Sequence, residues 1–337
     1  MPRKLILSCR LSPGDVMMLT AALRDLHRHY PGQCVTDVRT PCPDLWLHNP
    51  HITRLEASDP EVEFIECHYP LIQRSNQEAL HFIHGYMQFL AEILGLQLAP
   101  TVFAGDIHLA EDEKRVPLQL DEFNGANLPV WIVVAGGKYD FTIKWWHRRR
   151  YQAVVDHFRG RICFVQVGEK EHYHPLLKNV YDLRGKTTLR ELVRLVYHAD
   201  GVLCGVTLLM HLAAAVPLKV GQFSRPAVVI AGGREAPHWE AYPTHQFLHA
   251  VGLLPCCANG GCWRSRTVPL GDGDEKDDPK NLCRDVVSGL PRCMDMISEE
   301  SVIQNIELQL AGRERQGAQP VVEKPKTNPT PVIEMIR

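Results

Sequence analysis

Apolar positions along the chain recur in two alternating rhythms. Residues 4–9 form a short apolar run, closed by a tight segment at 10–15 that contains Pro13-Gly14. Over residues 16–30, Leu19, Ala22, Leu23 and Leu26 fall at helical spacing until Pro31-Gly32 stops the run. Strand-like residues 35–38 follow, which predicts an opening β-α-β unit. Leu80, Ile83, Met87, Leu90 and Leu94 predict a second amphipathic helix over residues 75–96.

Residues 111–129 are polar and irregular, the composition of a linker, and the alternation then restarts. A buried strand at 130–134 runs into Gly136-Gly137, and a helix follows at 145–158. A strand at 162–167 ends at Gly168, and a helix at 187–197 is entered by the Thr187-Thr188 pair, favourable N-cap chemistry. The rhythm continues as strand 201–204, helix 208–216 and strand 218–223. Strands separated by helices of this length predict parallel sheets covered on both faces, and the restart predicts two of them. Val302, Ile306 and Leu310 mark a last helix at 299–310; the Pro-, Lys- and Thr-rich stretch from Gln316 has no period and reads as a disordered tail.

Composition narrows the class. With 337 residues the chain is long enough for two domains at roughly 100–200 residues each. It is 45% hydrophobic and 23% charged with a formal net charge of −2, so it lacks the global basic field of a non-specific nucleic-acid binder. The apolar start is broken at Arg10, too short for a signal peptide, and no run reaches the ~18 apolar residues of a membrane span. These features predict a cytoplasmic protein without a nucleic-acid partner, and leave peripheral membrane contact and homo-oligomerisation open. Of eleven cysteines, five crowd between Cys256 and Cys293. An odd, clustered set without a secretion signal favours thiols and metal ligands over disulfides.

Five constellations carry candidate chemistry. Ser12-Pro13-Gly14-Asp15 lies at the carboxyl end of the first strand, where doubly wound sheets bind ligands. There Asp15 can act as a general base, or simply as a helix N-cap. Gly136-Gly137-Lys138 leads to Lys144-Trp145-Trp146, where backbone approach and a cation suit a diphosphate, although the spacing is not that of a Walker loop. Thr207 opens a small-residue helix with Met210-His211-Leu212-Ala213-Ala214-Ala215, and its hydroxyl and the helix start suit phosphate; His211, alone on an apolar helix, also fits a satisfied core residue. In Gly232-Gly233-Arg234-Glu235, followed by Pro237-His238-Trp239-Glu240, Arg234 can fork onto phosphate and Glu235 can accept from ribose, or the two can close a structural turn. Cys257, Cys262, Cys283 and Cys293, with Cys256 as the spare, supply four thiolates for a structural iron or zinc site that leaves no open catalytic position.

The Gly14-Asp15-Val16 loop, Lys144-Trp145, Gly185-Lys186-Thr187-Thr188-Leu189 and the Met210–Ala215 run, in this order and spacing over roughly residues 3–225, resemble the ADP-heptose:lipopolysaccharide heptosyltransferases, glycosyltransferase family 9. The resemblance implies an α/β fold of the GT-B type: two Rossmann-like, doubly wound parallel-sheet domains facing a cleft. With the cysteine segment added, it implies an N-terminal acceptor-side domain at 1–122, a nucleotide-sugar domain at 123–254, a metal knot at 255–297, a helix at 298–312 and a tail at 313–337. It also implies inverting transfer from ADP-heptose without a catalytic metal. Asp15 is then the base, Lys144 and Thr142 lie on the phosphate side, and Gly168-Glu169 meets the adenosine. The family's aspartate that contacts sugar hydroxyls is replaced by Val206. Together with the cysteine cluster, this variant looks more like the bacterial autotransporter heptosyltransferases, which modify protein hydroxyls and hold iron through cysteines. The expected partners are a nucleotide-sugar donor and a glycan or protein acceptor. Two alternatives stand beside this reading: the same fold with a UDP- or GDP-sugar donor, and a non-catalytic binding protein whose metal knot docks a partner.

Overall fold

The structure is a computed structural model that describes residues 1–68, 71–72, 74–115 and 128–317, of which 313–317 are described by backbone only. Strand β1 (Arg3–Ser8) runs into helix α1 (Pro13–His29) and then β2 (Cys34–Arg39), the β-α-β unit the pattern predicts. With β3 (Val62–Glu66), these strands form a parallel sheet in the order β2-β1-β3, with Leu5 opposite Thr36 and Glu63. Helix α2 (His84–Leu94) and the short α3 (Glu111–Arg115) complete this half. The predicted helix at 75–96 therefore begins nine residues late. Its first part is held open by the Phe82 amide, which donates to the Trp239 carbonyl at 2.8 Å, and by the His81 and His84 rings, which accept from local amides. Backbone donors satisfied in this way have no need of a helix.

The second half alternates as β4 (Val130–Val133), α4 (Arg148–His157), β5 (Cys163–Gln166), β6 (Tyr181–Asp182), α5 (Leu189–His198), β7 (Gly201–Gly205), α6 (Leu208–Ala215), β8 (Ala227–Gly232), the one-turn α7 (Pro237–Glu240) and β9 (His245–His249). All six strands are parallel, in the order β6-β5-β4-β7-β8-β9. Strands β4, β5, β7 and β8 are buried along their whole length, as expected of a parallel sheet with helices on both faces. Thr188 caps α5 in a reciprocal capping box with Glu191, in agreement with the threonine pair read from the sequence. The buried Arg225 closes the far end of α6, its guanidinium donating to the carbonyls of Ala213, Val216 and Pro217, and burial lowers its pKa to about 10.

Two further expectations are corrected. The predicted strand at 218–223 is a loop: Val220 and Phe223 face solvent and Gly221 has φ +80°, so no face is available to bury, and the strand at this point of the fold is β8. The helix predicted to start at Trp145 starts at Arg148, because residues 139–144 form a tighter 3-10 turn. Of the predicted linker, only 111–115 and 128–129 lie among the described residues. After β9 come β10 (Val286–Val287), β11 (Leu290–Pro291), α8 (Arg292–Asp295) and α9 (Glu299–Gly317). Helix α9 outruns the predicted boundary at residue 312; the rest of the predicted tail, from 318, lies outside the described residues.

The halves meet through side chains and backbone. Helix α1 packs on α6, and Gly105 lies between them so tightly that a Cβ there would come within 2.7 Å of Met17 and 3.1 Å of Ala215. Asn76 brackets Gly261 by donating to its carbonyl and accepting from its amide, both at 2.9 Å. Arg190 of α5 donates to Glu113 of α3 at 2.7 Å. No helix among the described residues is long and apolar enough to cross a membrane.

Candidate active site

In the six-stranded sheet the chain leaves β4 toward β5 and β6 on one side, and leaves β7 toward β8 and β9 on the other. The reversal between these neighbouring strands opens a crevice beyond their carboxyl ends, the usual ligand position in such sheets. The segments following β4, β7 and β8 line a cleft of about 800 Å³ there, and the 10–15 segment of the N-terminal sheet closes its other wall. The cleft brings together Asp15, Lys144, Gly168, Glu169, Thr207, His211, Arg234 and Glu235, eight of the nine catalytic and donor-side residues expected from the sequence.

Asp15 is the third residue of α1 and not its N-cap; Ser12 holds that position. Burial raises the Asp15 pKa, opposed by Lys144, the Ser12 backbone and Lys138, and the net shift is upward. The Lys138 ammonium reaches across the cleft and donates to the Ser12 hydroxyl at 3.0 Å. A carboxylate of raised basicity at a cleft wall is suited to accept a proton from a hydroxyl.

The opposite wall is cationic. Lys144 ends the turn over Tyr139–Lys144, and its Nζ lies 2.9 Å from Glu235 Oε1. Arg234 pairs with the same oxygen, donates through Nε to the Arg264 carbonyl at 2.7 Å, and lies over the rings of Phe141 (4.8 Å) and Trp263 (5.4 Å). Burial would push the Glu235 carboxyl up, but Arg234 and Lys144 outweigh it and hold the group below the usual glutamate range. The diglycine before this loop permits the geometry: Gly232 has φ +64°, and a Cβ there would meet the Met294 side chain.

Thr207 is the N-cap residue of α6, and its hydroxyl is buried beside the Cys204 thiol at the helix start, a position suited to a phosphate. One turn on, His211 is buried, with Nδ1 2.7 Å from the Tyr242 hydroxyl and Nε2 3.5 Å from Glu240. Burial, with His81 nearby, holds its pKa well below the ordinary histidine value, so the ring is neutral. Gly168 and the exposed Glu169 follow β5, and Glu169 lies 3.5 Å from His172. Thr142 is the exception. It is buried outside the cleft lining, with its hydroxyl 3.1 Å from that of Thr267 and accepting from the Thr267 amide at 2.9 Å, so it ties two segments together and does not face the phosphate side.

Sequence reasoning assigned no role to Glu240, Lys138, Phe141 or Trp263, all of which line the cleft. The two diglycine segments, at Gly136-Gly137 and at Gly232-Gly233, signalled that Lys138, Phe141 and Glu240 stand near a site, and nothing in the pattern signalled Trp263. Glu240 is buried, and burial followed by the neighbouring Glu235 charge raises its pKa well above the glutamate value.

The cysteine segment folds against the same diglycine. A Cβ at Gly233 would lie 3.0 Å from Cys257 Sγ, and one at Gly232 would lie 3.3 Å from Cys293 Sγ. Backbone groups of Arg264 and Gly233 hydrogen-bond to the sulfurs of Cys262 and Cys293 and favour their thiolate forms, while the Cys283 thiol donates to the Asp285 carbonyl at 3.3 Å; burial raises all three pKa values. Cys256, the expected spare, is exposed. Among the described residues no three His, Cys, Asp or Glu side chains are spaced to hold a metal ion.

Residues 70–220 match the family "Glycosyltransferase family 9 (heptosyltransferase)", a span that includes Lys144, Glu169, Thr207 and His211 and excludes Asp15 and Arg234. No curated protein matches the sequence. Among solved structures, the glycosyl transferase family 9 protein of Veillonella parvula DSM 2008 is similar at 14% identity, covering 92% of this chain and 97% of its own, with a TM-score of 0.59. The ADP-heptose lps heptosyltransferase II of E. coli is similar at 15% identity, 93% and 100% coverage and a TM-score of 0.54. The iron-containing dodecameric glycosyltransferase TibC from enterotoxigenic E. coli H10407 is similar at 17% identity, 94% and 81% coverage and a TM-score of 0.56. At these identities the structures establish a shared fold. Residues 70–220, less than half of the chain, thus match a glycosyltransferase family 9 (heptosyltransferase) domain, carried on a fold that is shared with solved glycosyltransferases.

Proposed function

We propose that this enzyme transfers a sugar from a nucleotide diphosphate sugar to a hydroxyl of a glycan or protein acceptor with inversion, and that ADP-heptose is its donor. The observation that carries the reading is the pairing of Asp15 on one wall of the cleft with the Lys144–Arg234 cations on the other. Asp15 takes the proton of the acceptor hydroxyl as its oxygen attacks the anomeric carbon. The bond to the diphosphate breaks on the opposite face, and the charge that develops there is met by Lys144, Arg234, Thr207 and the start of α6. Before the donor binds, Glu235 pairs with both cations and balances one of their two charges, so the diphosphate competes with a carboxylate and not with bulk water alone. Glu169, which lines the cleft beyond β5, meets the adenosine in this reading.

Val206 at the end of β7 offers only methyl groups to the donor, which keeps UDP- and GDP-sugars as the second reading. A panel of ADP-heptose, ADP-glucose, UDP-glucose and GDP-mannose tests the choice by thermal shift and donor hydrolysis. ADP-heptose should give the largest stabilisation, about 2.7 kcal/mol at a hundredfold excess over Kd. A larger shift with a UDP- or GDP-sugar replaces the donor, and no shift with any of them removes the transfer reading.

The cysteine segment is proposed as a structural iron or zinc site held by Cys257, Cys262, Cys283 and Cys293. The support is the donor chemistry of four thiols in one segment: Cys257 and Cys293 put their sulfurs against the diglycine, and the Cys262 amide donates to the Gly233 carbonyl at 3.0 Å. One metal per chain by elemental analysis, lost in Cys283→Ser, is the expected result. TibC is described as dodecameric, so self-association is proposed here as well and is tested by light scattering.

A further inference from the structure

The cleft is lined by a further carboxyl that the mechanism above does not use. Glu240 is the last residue of α7, a helix held by both halves of the molecule. The Trp239 carbonyl accepts from the Phe82 amide at 2.8 Å, and His238 Nε2 lies 2.7 Å from the Ser75 carbonyl. Pro237 stiffens its first turn. The side chain is therefore fixed from outside the cleft that it lines.

Its surroundings are unusual for a carboxyl. Glu240 is 4% exposed, and its Oε2 is buried without a hydrogen bond; His211 Nε2 is 3.5 Å away, too far for a good one. His211 holds the Tyr242 hydroxyl at Nδ1 and turns Nε2 toward Glu240. Glu240 lines the same cleft as Asp15, Lys144 and Arg234 and is close enough to feel the charge of all three. In an inverting transfer, the ring of the transferred sugar must occupy that cleft between the base and the diphosphate. A buried polar atom left unsatisfied costs about 1–3 kcal/mol and persists where a ligand completes it.

We propose that the Glu240 carboxyl recognises a hydroxyl of the transferred sugar. The assignment rests on the nucleotide-sugar reading above and gives a polyhydroxylated sugar ring its hydrogen-bond partner inside the cleft. Burial, and after it the Glu235 charge, favour the protonated form, which offers one O–H donor and one carbonyl acceptor to the sugar. Glutamine reproduces that pair of functions and leucine removes both at similar size.

The test compares the affinities of ADP and ADP-heptose for the wild type, Glu240→Gln and Glu240→Leu, by calorimetry on the full chain. ADP lacks the sugar, so its Kd should stay within about twofold in all three. For ADP-heptose, Glu240→Leu should weaken binding by about tenfold or more, the loss of a hydrogen bond to a buried partner, and Glu240→Gln should restore it to within a few-fold. If Glu240→Leu weakens ADP and ADP-heptose alike, the side chain supports the fold only and the assignment falls. Unchanged ADP-heptose binding in Glu240→Leu overturns it as well. If the wild type binds neither ligand, the nucleotide-sugar reading fails first and takes this inference with it.

Discussion

Asp15 and Glu235 stand in the same cleft and are pushed in opposite directions. Asp15 is half-buried on the N-terminal sheet's wall, and burial outweighs the lysines that act on it, so its pKa rises. Glu235 is more deeply buried on the other wall, yet two cations in direct contact pull its pKa down. Burial alone ranks the two groups in the wrong order. Direct contact with a cation separates a carboxylate that can take up a proton from one that serves as a permanent counter-charge.

The sharpest way to break this comparison is to remove the charge of Asp15 alone. Asp15→Asn should keep nucleotide affinity and lower kcat by about 10²–10⁴-fold, the usual size of a general-base contribution. Turnover near wild type in a steady-state assay would transfer the proton-accepting role elsewhere. Glu235→Gln attacks the other member and should act on stability instead. Breaking a buried pair leaves its cations uncompensated, at a cost of about 3–5 kcal/mol. Chemical denaturation should show that loss, and ADP should recover part of it by supplying phosphate charge to Lys144 and Arg234. Equal stability with and without the carboxylate would mean that the pair is not closed in solution. The mildest probe is pH. A base must be deprotonated to work, and the pKa of Asp15 is raised, so kcat/KM should fall about tenfold per unit as pH drops through a midpoint above the ordinary aspartate value of about 3.9. A profile of Asp15→Asn that keeps the same acid limb would assign that limb to another group.

The structure agrees with the sequence where periodicity acts over a whole element, and departs from it where a remote contact intervenes. β7, α6 and the capped α5 lie within a residue or two of their predicted ends, because their apolar faces and N-cap are local features. The helix at 75–96 shortens because Phe82 bonds to Trp239, a residue more than 150 positions away. Thr142 was drawn to the phosphate side by its position next to Lys144, but its hydroxyl turns to Thr267. Motif spacing along one strand-loop segment does not specify which way each side chain points.

By itself the sequence determined the alternation of strands and helices, the glycines that let the loops turn, and which residues stand at the carboxyl ends of strands, since all of these follow from nearest-neighbour sterics and burial period. Tertiary structure alone decided that Asp15, from the first sheet, shares a cleft with Lys144 and Arg234, from the second, and that Glu240 lines it too. The reason is physical: the charge state and reach of each group depend on partners brought near by sheet packing, and their separation along the chain carries no trace of that proximity.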